Sequence, residues 1–135
     1  MLTVVAALIE ANGKLLVCQR RRGGTFALLW EFPGGKKKAG ETLEQALARE
    51  LHEELGVTAQ IGREVYRTRH QYAEMSDAIE LIFFVVQANP AEMRNRVFEN
   101  IEWRAPESLA ELNFLPADRE LIEKLASGNL KISTL

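Results

Sequence analysis

One stretch of this chain declares its conformation before any other. Residues 43–55 carry Leu43, Ala46, Leu47, Leu51 and Leu55 at helical spacing. Thr42 stands ahead of them as an N-cap, and Gln45 three residues on completes a capping box. Gly56 follows as the stop. Such a helix has one apolar stripe that must be buried against another layer, and the rest of the chain offers strands. Residues 3–9 are an apolar run, Asn12-Gly13 is a hairpin turn, and residues 14–19 are the return strand. Residues 79–88 read as a second buried strand, 57–69 contain extended stretches, and 101–104 a short strand. Residues 29–32 are strand-like and run into Pro33-Gly34-Gly35, which is expected to turn. Pro106 opens a short helix through Leu112, residues 116–126 form a last helix ended near Gly128, and 129–135 carry no clear signal. The helices are separated by strands and do not alternate with them. A mixed α+β or α/β sandwich follows, as a single domain over residues 1–135.

Charge and composition narrow the function. Seventeen Lys and Arg against 19 Asp and Glu leave a net charge of −2, so no broad basic surface for a nucleic-acid polymer is implied. One cysteine and two histidines exclude a zinc site of the usual ligand count, and Cys18, inside an apolar run, reads as a buried structural thiol. No apolar stretch approaches the roughly 20 residues a membrane span needs, and the apolar N-terminus lacks a basic leader. The expectation is a soluble, cytoplasmic protein with no membrane partner.

The far end of the first helix breaks the rules that its start obeys. Glu50 is spaced i, i+3 from Glu53 and i, i+4 from Glu54, so the three share a neighbourhood. By azimuth, Glu54 lies close to Leu43, and Glu50 lies between Ala46 and Leu43, at the edge of the core stripe. Like charges at i, i+4 cost a few tenths of a kcal/mol. Acids in the last turn oppose the helix dipole at about 0.3–1 kcal/mol each. A helix selected for stability alone would end in Lys or Arg. A divalent cation compensates, and hard oxygen ligands suit Mg²⁺, with Mn²⁺ able to substitute. The glycines upstream offer bare carbonyls to a metal and N–H groups to a phosphate.

These residues resemble the signature of the Nudix hydrolase family. The match is Gly35, five residues, Glu41, seven residues, then Arg49-Glu50-Leu51-His52-Glu53-Glu54-Leu55-Gly56-Val57, with every fixed position kept. Trp30-Glu31-Phe32-Pro33-Gly34-Gly35-Lys36 looks like the MutT-type branch, and Leu115-Pro116-Ala117-Asp118 is similar to its CTP pyrophosphohydrolases. The resemblance implies an α/β/α sandwich with a mixed sheet. It also implies Mg²⁺-dependent hydrolysis of a nucleoside diphosphate linkage, most often a triphosphate giving monophosphate and pyrophosphate.

By the family motif, Glu50, Glu53, Glu54 and the Gly34 carbonyl are the metal ligands, with Glu53 or Glu50 as general base. Glu99 is a candidate extra ligand or base. Glu41 and Arg49 are expected to pair and brace the box. Arg20, Gly35, His70, Tyr72 and Asp118 are the candidate substrate contacts. Asp118 accepts from the exocyclic amine of a cytosine or adenine, or else caps the last helix. Arg21 and Arg22 are expected in solvent, and Trp30 and Phe32 in the core. Asp118, where the MutT branch has asparagine, and Asp77, near a second expected arginine, argue against reading oxidised guanine. The alternatives are a pyrophosphatase of ADP-ribose, a nucleotide sugar or a dinucleoside polyphosphate, and a non-catalytic nucleotide-binding module. A monomer or homodimer is expected, with a small nucleotide as partner.

Overall fold

A computed structural model of the chain describes residues 1–73 and 75–132, so the last three residues of the unsignalled tail lie outside it. The elements are β1 (Leu2–Ala11), β2 (Lys14–Gln19), β3 (Trp30–Glu31), β4 (Gly34–Lys36), α1 (Leu43–Leu55), β5 (Gln60–His70), β6 (Ile79–Gln87), β7 (Asn100–Arg104) and α2 (Arg119–Ser127). Short 3₁₀ turns occupy Pro90–Glu92, Pro106–Glu111 and Pro116–Asp118. Among the described residues, no helix is long and apolar enough to cross a membrane.

The apolar runs explain the layering. A strand with one wet face alternates apolar and polar, whereas a strand covered on both faces is apolar throughout. β1, β2 and β6 are of the second kind. Val5, Ala7 and Ile9 of β1, Leu16 and Cys18 of β2, and Ile82, Phe84 and Val86 of β6 face α1, meeting Ala46, Leu47, Leu51 and Leu55. The intervening Ala6, Leu8, Leu15, Val17, Leu81 and Phe83 face the other way, meeting Leu109, Leu121, Ile122 and Leu125. Helices on both faces of a mixed sheet make the α/β/α sandwich. β1 pairs in parallel with β6 from Leu2 to Ile9. Its other edge is shared by β4 near Val4–Ala6 and by β2 at Glu10–Ala11, both antiparallel. Asn12 and Gly13 both have positive φ, at 53° and 78°, so the hairpin turn forms as read.

Three expectations are corrected. Pro33-Gly34-Gly35 does not turn the chain back. It bends at Pro33 and enters β4, opposite Val5 and Ala6. The glycines serve close approach. A Cβ on Gly34 would lie 1.9 Å from the Val5 carbonyl oxygen, and one on Gly35 would lie 2.4 Å from Glu50 Cδ. The strand expected over 29–32 is only Trp30–Glu31, because Phe32 is already leaving β2 for the crossing to β1. The last helix opens as a 3₁₀ turn at Pro116 and becomes α-helical only from Arg119.

Candidate active site

The first helix forms as its caps dictate. Thr42 Oγ1 accepts from the Gln45 N–H at 3.0 Å, and Gln45 Oε1 accepts from the Thr42 N–H at 2.9 Å. The helix therefore starts at a fixed residue, and that fixes which side of its last turn faces β4. Glu54 turns inward and accepts from the Gly34 N–H at 3.2 Å. Glu50 packs against Gly35. Glu53, one residue from Glu54, points outward, and its side chain is 54% exposed.

Arg49 is the hub of the outer layer. It donates to both oxygens of Glu41, at 2.6 and 3.0 Å. It also reaches the Lys36 carbonyl at 3.0 Å, Glu50 at 3.0 Å and Glu53 at 3.4 Å. Arg49, with the Lys38 N–H, holds the half-buried Glu41 carboxyl down to about 2. The expected pairing of Arg49 with Glu41 is thus formed. The dipole conflict also has a local answer: Arg96 Nη1 donates to the His52 carbonyl at 3.2 Å, and the Arg94 and Arg96 N–H groups meet the carbonyls of Leu55 and Glu54. Arginines remote in sequence thus supply part of the compensation that this helix end needs.

Glu54 keeps the remainder of the conflict. Burial, then the charges of Glu50 and Glu31, push its carboxyl up to about 9. Among the described residues no three Asp, Glu, His or Cys side chains stand close enough to hold a metal ion as they are. The donors fit one nonetheless. Glu50 and Glu54 are crowded carboxylates beside a bare glycine backbone, and their mutual repulsion is what a hard divalent cation relieves. Glu53 stands apart from them on the exposed face, ion-paired with Arg49 at 3.4 Å.

A pocket of about 490 Å³ is lined by Arg20, Phe26, Glu31, Gly34, Gly35, Glu54, Tyr72 and Asp118. A smaller cavity of about 250 Å³ lies across the wall formed by Arg20, Thr25, Glu31 and Glu54. Asp118 is 3% exposed and makes no capping bond to α2, so the reading of it as an N-cap is corrected. Burial, then the Glu31 charge, push its carboxyl well above the ordinary range. Tyr72 is held by its hydroxyl, which accepts from the Ala117 N–H at 3.2 Å, and its ring meets Phe26 at 4.7 Å and His70 at 4.3 Å.

Of the residues singled out by sequence, the fold brings Arg20, Gly34, Gly35, Glu54, Tyr72 and Asp118 into the pocket lining, with Glu50 behind Gly35. His70 stands behind Tyr72, outside the lining. Glu99 lines neither cavity and is ion-paired with Arg22 at 3.5 Å. Arg22 and Arg21 are exposed but tethered, the latter to the Val97 carbonyl at 2.7 Å. Phe32 is core, as expected, and Trp30 is half-buried. Phe26 and Glu31 went unnoticed in the sequence. Glu31 had a signal: a lone carboxylate between Trp30 and Phe32 in a strand destined for burial needs a partner.

The NUDIX domain family matches residues 1–125. The CTP pyrophosphohydrolase of Escherichia coli is 38% identical over 123 residues, 91% of this chain and 90% of the relative. The 8-oxo-dGTP diphosphatase of Haemophilus influenzae is 37% identical over 126 residues, 93% of this chain and 91% of the relative. Among solved structures, that of the E. coli ORF135 protein superposes with a TM-score of 0.82 at 35% identity, covering 96% of this chain and 91% of the other.

Proposed function

The chain belongs to the NUDIX family, and from that premise we propose that it hydrolyses a nucleoside triphosphate to the monophosphate and pyrophosphate, with cytosine as the preferred base. The observation that supports this reading is the pocket itself. Its lining brings Glu54, crowded by Glu50 behind Gly35, together with a second buried acid, Asp118. A divalent cation, Mg²⁺ or Mn²⁺, bound by Glu50, Glu53, Glu54 and the Gly34 carbonyl would neutralise the diphosphate and acidify the attacking water.

The chain's own residues do the rest. Glu53, the most exposed of the three box glutamates, takes the proton of water on a carboxylate oxygen. The water oxygen bonds to phosphorus, the anhydride P–O bond between the α and β phosphates breaks, and pyrophosphate leaves. Glu50 is the alternative base, though Gly35 and Arg49 confine it more tightly. Glu99 could serve only after releasing Arg22. Arg49 and Glu41 brace the loop and helix, and Gly35 presents backbone to the phosphates.

Asp118 carries the base preference. Burial favours the protonated form of this carboxyl, and in that form it offers one donor and one acceptor side by side. That pair complements the exocyclic amine and ring nitrogen of cytosine, and also those of adenine, whereas guanine presents two donors there. Phe26 and Tyr72, packed on one another, line the same pocket and offer aromatic surface to the base.

The test is a panel of nucleotides with Mg²⁺ in which both products are identified. Pyrophosphate with CMP is expected, fastest with CTP or dCTP. Release of a sugar phosphate, or of two monophosphates, would move the protein to a different substrate class. Glu53→Gln is expected to keep the melting temperature and lower kcat by about 10³-fold or more. Near wild-type turnover in that variant would remove Glu53 as the base.

A further inference from the structure

Arg20 and Glu31 form the one wall that the large pocket and the smaller cavity share with Thr25 and Glu54. Arg20 follows the end of β2, and Glu31 sits across from Cys18 on β3, so the hairpin-like pairing of these strands sets the two side chains together. Arg20 Nη1 donates to both Glu31 oxygens, at 3.1 and 3.2 Å. Its Nε donates to the Thr25 carbonyl at 2.9 Å, and its Cζ lies 6.0 Å from the Phe26 ring centroid. Among the described residues Nη2 has no partner.

This pair is costly where it stands. Glu31 is 20% exposed, and its charge acts against both Glu54 and Asp118. A glutamine there would remove that repulsion but leave Arg20 one neutral acceptor in place of two charged ones, so the paired geometry would be lost. An acid held at a site where it repels two neighbours is a rule broken for a reason other than stability. The contacts indicate the reason. Glu31 fixes Arg20, Arg20 faces Phe26, Phe26 packs on Tyr72, and Tyr72 holds the Ala117 N–H beside Asp118.

We infer that Glu31 is a positioning residue for the nucleotide: it acts through Arg20, locking the guanidinium in the wall between the two cavities so that its Nη2 edge meets the bound substrate. Glu31 itself touches no reacting atom. The inference rests on the proposed nucleotide pocket and adds a residue to it.

The experiment uses Glu31→Gln, Arg20→Lys and the double variant. CMP binding is read by calorimetry in EDTA, alongside KM and kcat for CTP with Mg²⁺ and the melting temperature. Each single variant is expected to weaken CMP binding and raise KM about tenfold, with kcat within about threefold. The double variant is expected to be no worse than the weaker single, because both changes break one interaction. Glu31→Gln is expected to melt no lower than the parent. Losses that multiply in the double variant, a fall in kcat alone, or a lower melting temperature with unchanged CMP binding would each overturn the inference. Should Glu31→Gln fail to fold, Glu31 is a structural strut and the inference falls, while Arg20→Lys still reports whether Arg20 meets the nucleotide. A parent that binds and cleaves no nucleotide defeats the proposed function along with the inference. A parent that does both, with unaffected variants, defeats only the inference.

Discussion

The two helices are mirror images in the rules they keep. α1 begins with a satisfied capping box and ends with glutamates in a turn where the dipole disfavours them. α2 ends as a helix should, with Lys124 in its last turn and Gly128 as a left-handed cap, but Asp118 at its start makes no capping bond. Both lapses face one cavity: Glu54 and Asp118 both line the pocket. The regular ends fix where the helices lie, and the irregular ends carry polar groups that gain nothing for the helix itself. Departure from helix chemistry at two places that line one pocket marks a candidate site better than either departure alone.

The sharpest way to break this comparison is to make the α1 end regular. Glu54→Gln keeps the side chain's size and removes a buried acid that must hold a proton because burial, Glu50 and Glu31 oppose its charge. Turnover should fall about 10³-fold, close to 4 kcal/mol in barrier. The cation-free chain should melt higher than the parent. A variant that loses stability and keeps activity would show that Glu54 serves the fold and not the pocket.

The same residue sets a pH dependence. The folded chain holds the Glu54 proton up to about 9, far above its release in the unfolded chain near 4.5. Its stabilising contribution is therefore complete below about pH 4.5 and declines as pH rises toward 9. The groups facing it are Glu50, Glu31 and the Gly34 N–H, with Arg49 one contact away on Glu50. Denaturant midpoints in EDTA should fall across that window. Both Mg²⁺ and Glu54→Gln should flatten the fall. A slope unchanged by either would mean that other groups produce it.

At the α2 end the expected effect is smaller and selective. Asp118→Ala should lower kcat/KM for CTP about 10–100-fold, since a site built to hydrogen-bond the base loses its partner. Asp118→Asn, which also offers a donor and an acceptor, should stay within about threefold. If asparagine proves as harmful as alanine, the carboxyl works in its ionised form and the protonated reading of the base contact fails.

Local rules carried the reading of the helix box, the hairpin and the three buried strands because each element there obeys its own spacing. Leu43, Glu50 and Glu54 could be set on one helix face from azimuth alone. The glycine strand was lost for the opposite reason. Pro33-Gly34-Gly35 has the composition of a turn, yet its glycines answer to the Val5 carbonyl and to Glu50, contacts that exist only after β1 and α1 are assembled. Phe26 was hidden likewise: it sits in a basic, glycine-rich loop with φ of +55°, and only the fold brings its ring to Tyr72. Asp118 could be a cap or a pocket group by sequence, and burial with no capping bond decides between them.

The regular starts can be tested against each other with the least perturbation. Thr42→Ala removes a cap that is made and should cost about 1 kcal/mol. For a chain of this size that is a fall of a few degrees in melting temperature, with CTP turnover unchanged because Thr42 lies outside the pocket lining. Asp118→Ala removes a residue at the equivalent position of α2 that caps nothing, so none of that loss should appear. Equal losses in the two variants would mean that Asp118 caps α2 in solution. The asymmetry between the helices would then vanish, and the pocket would keep its acidic end at α1 alone.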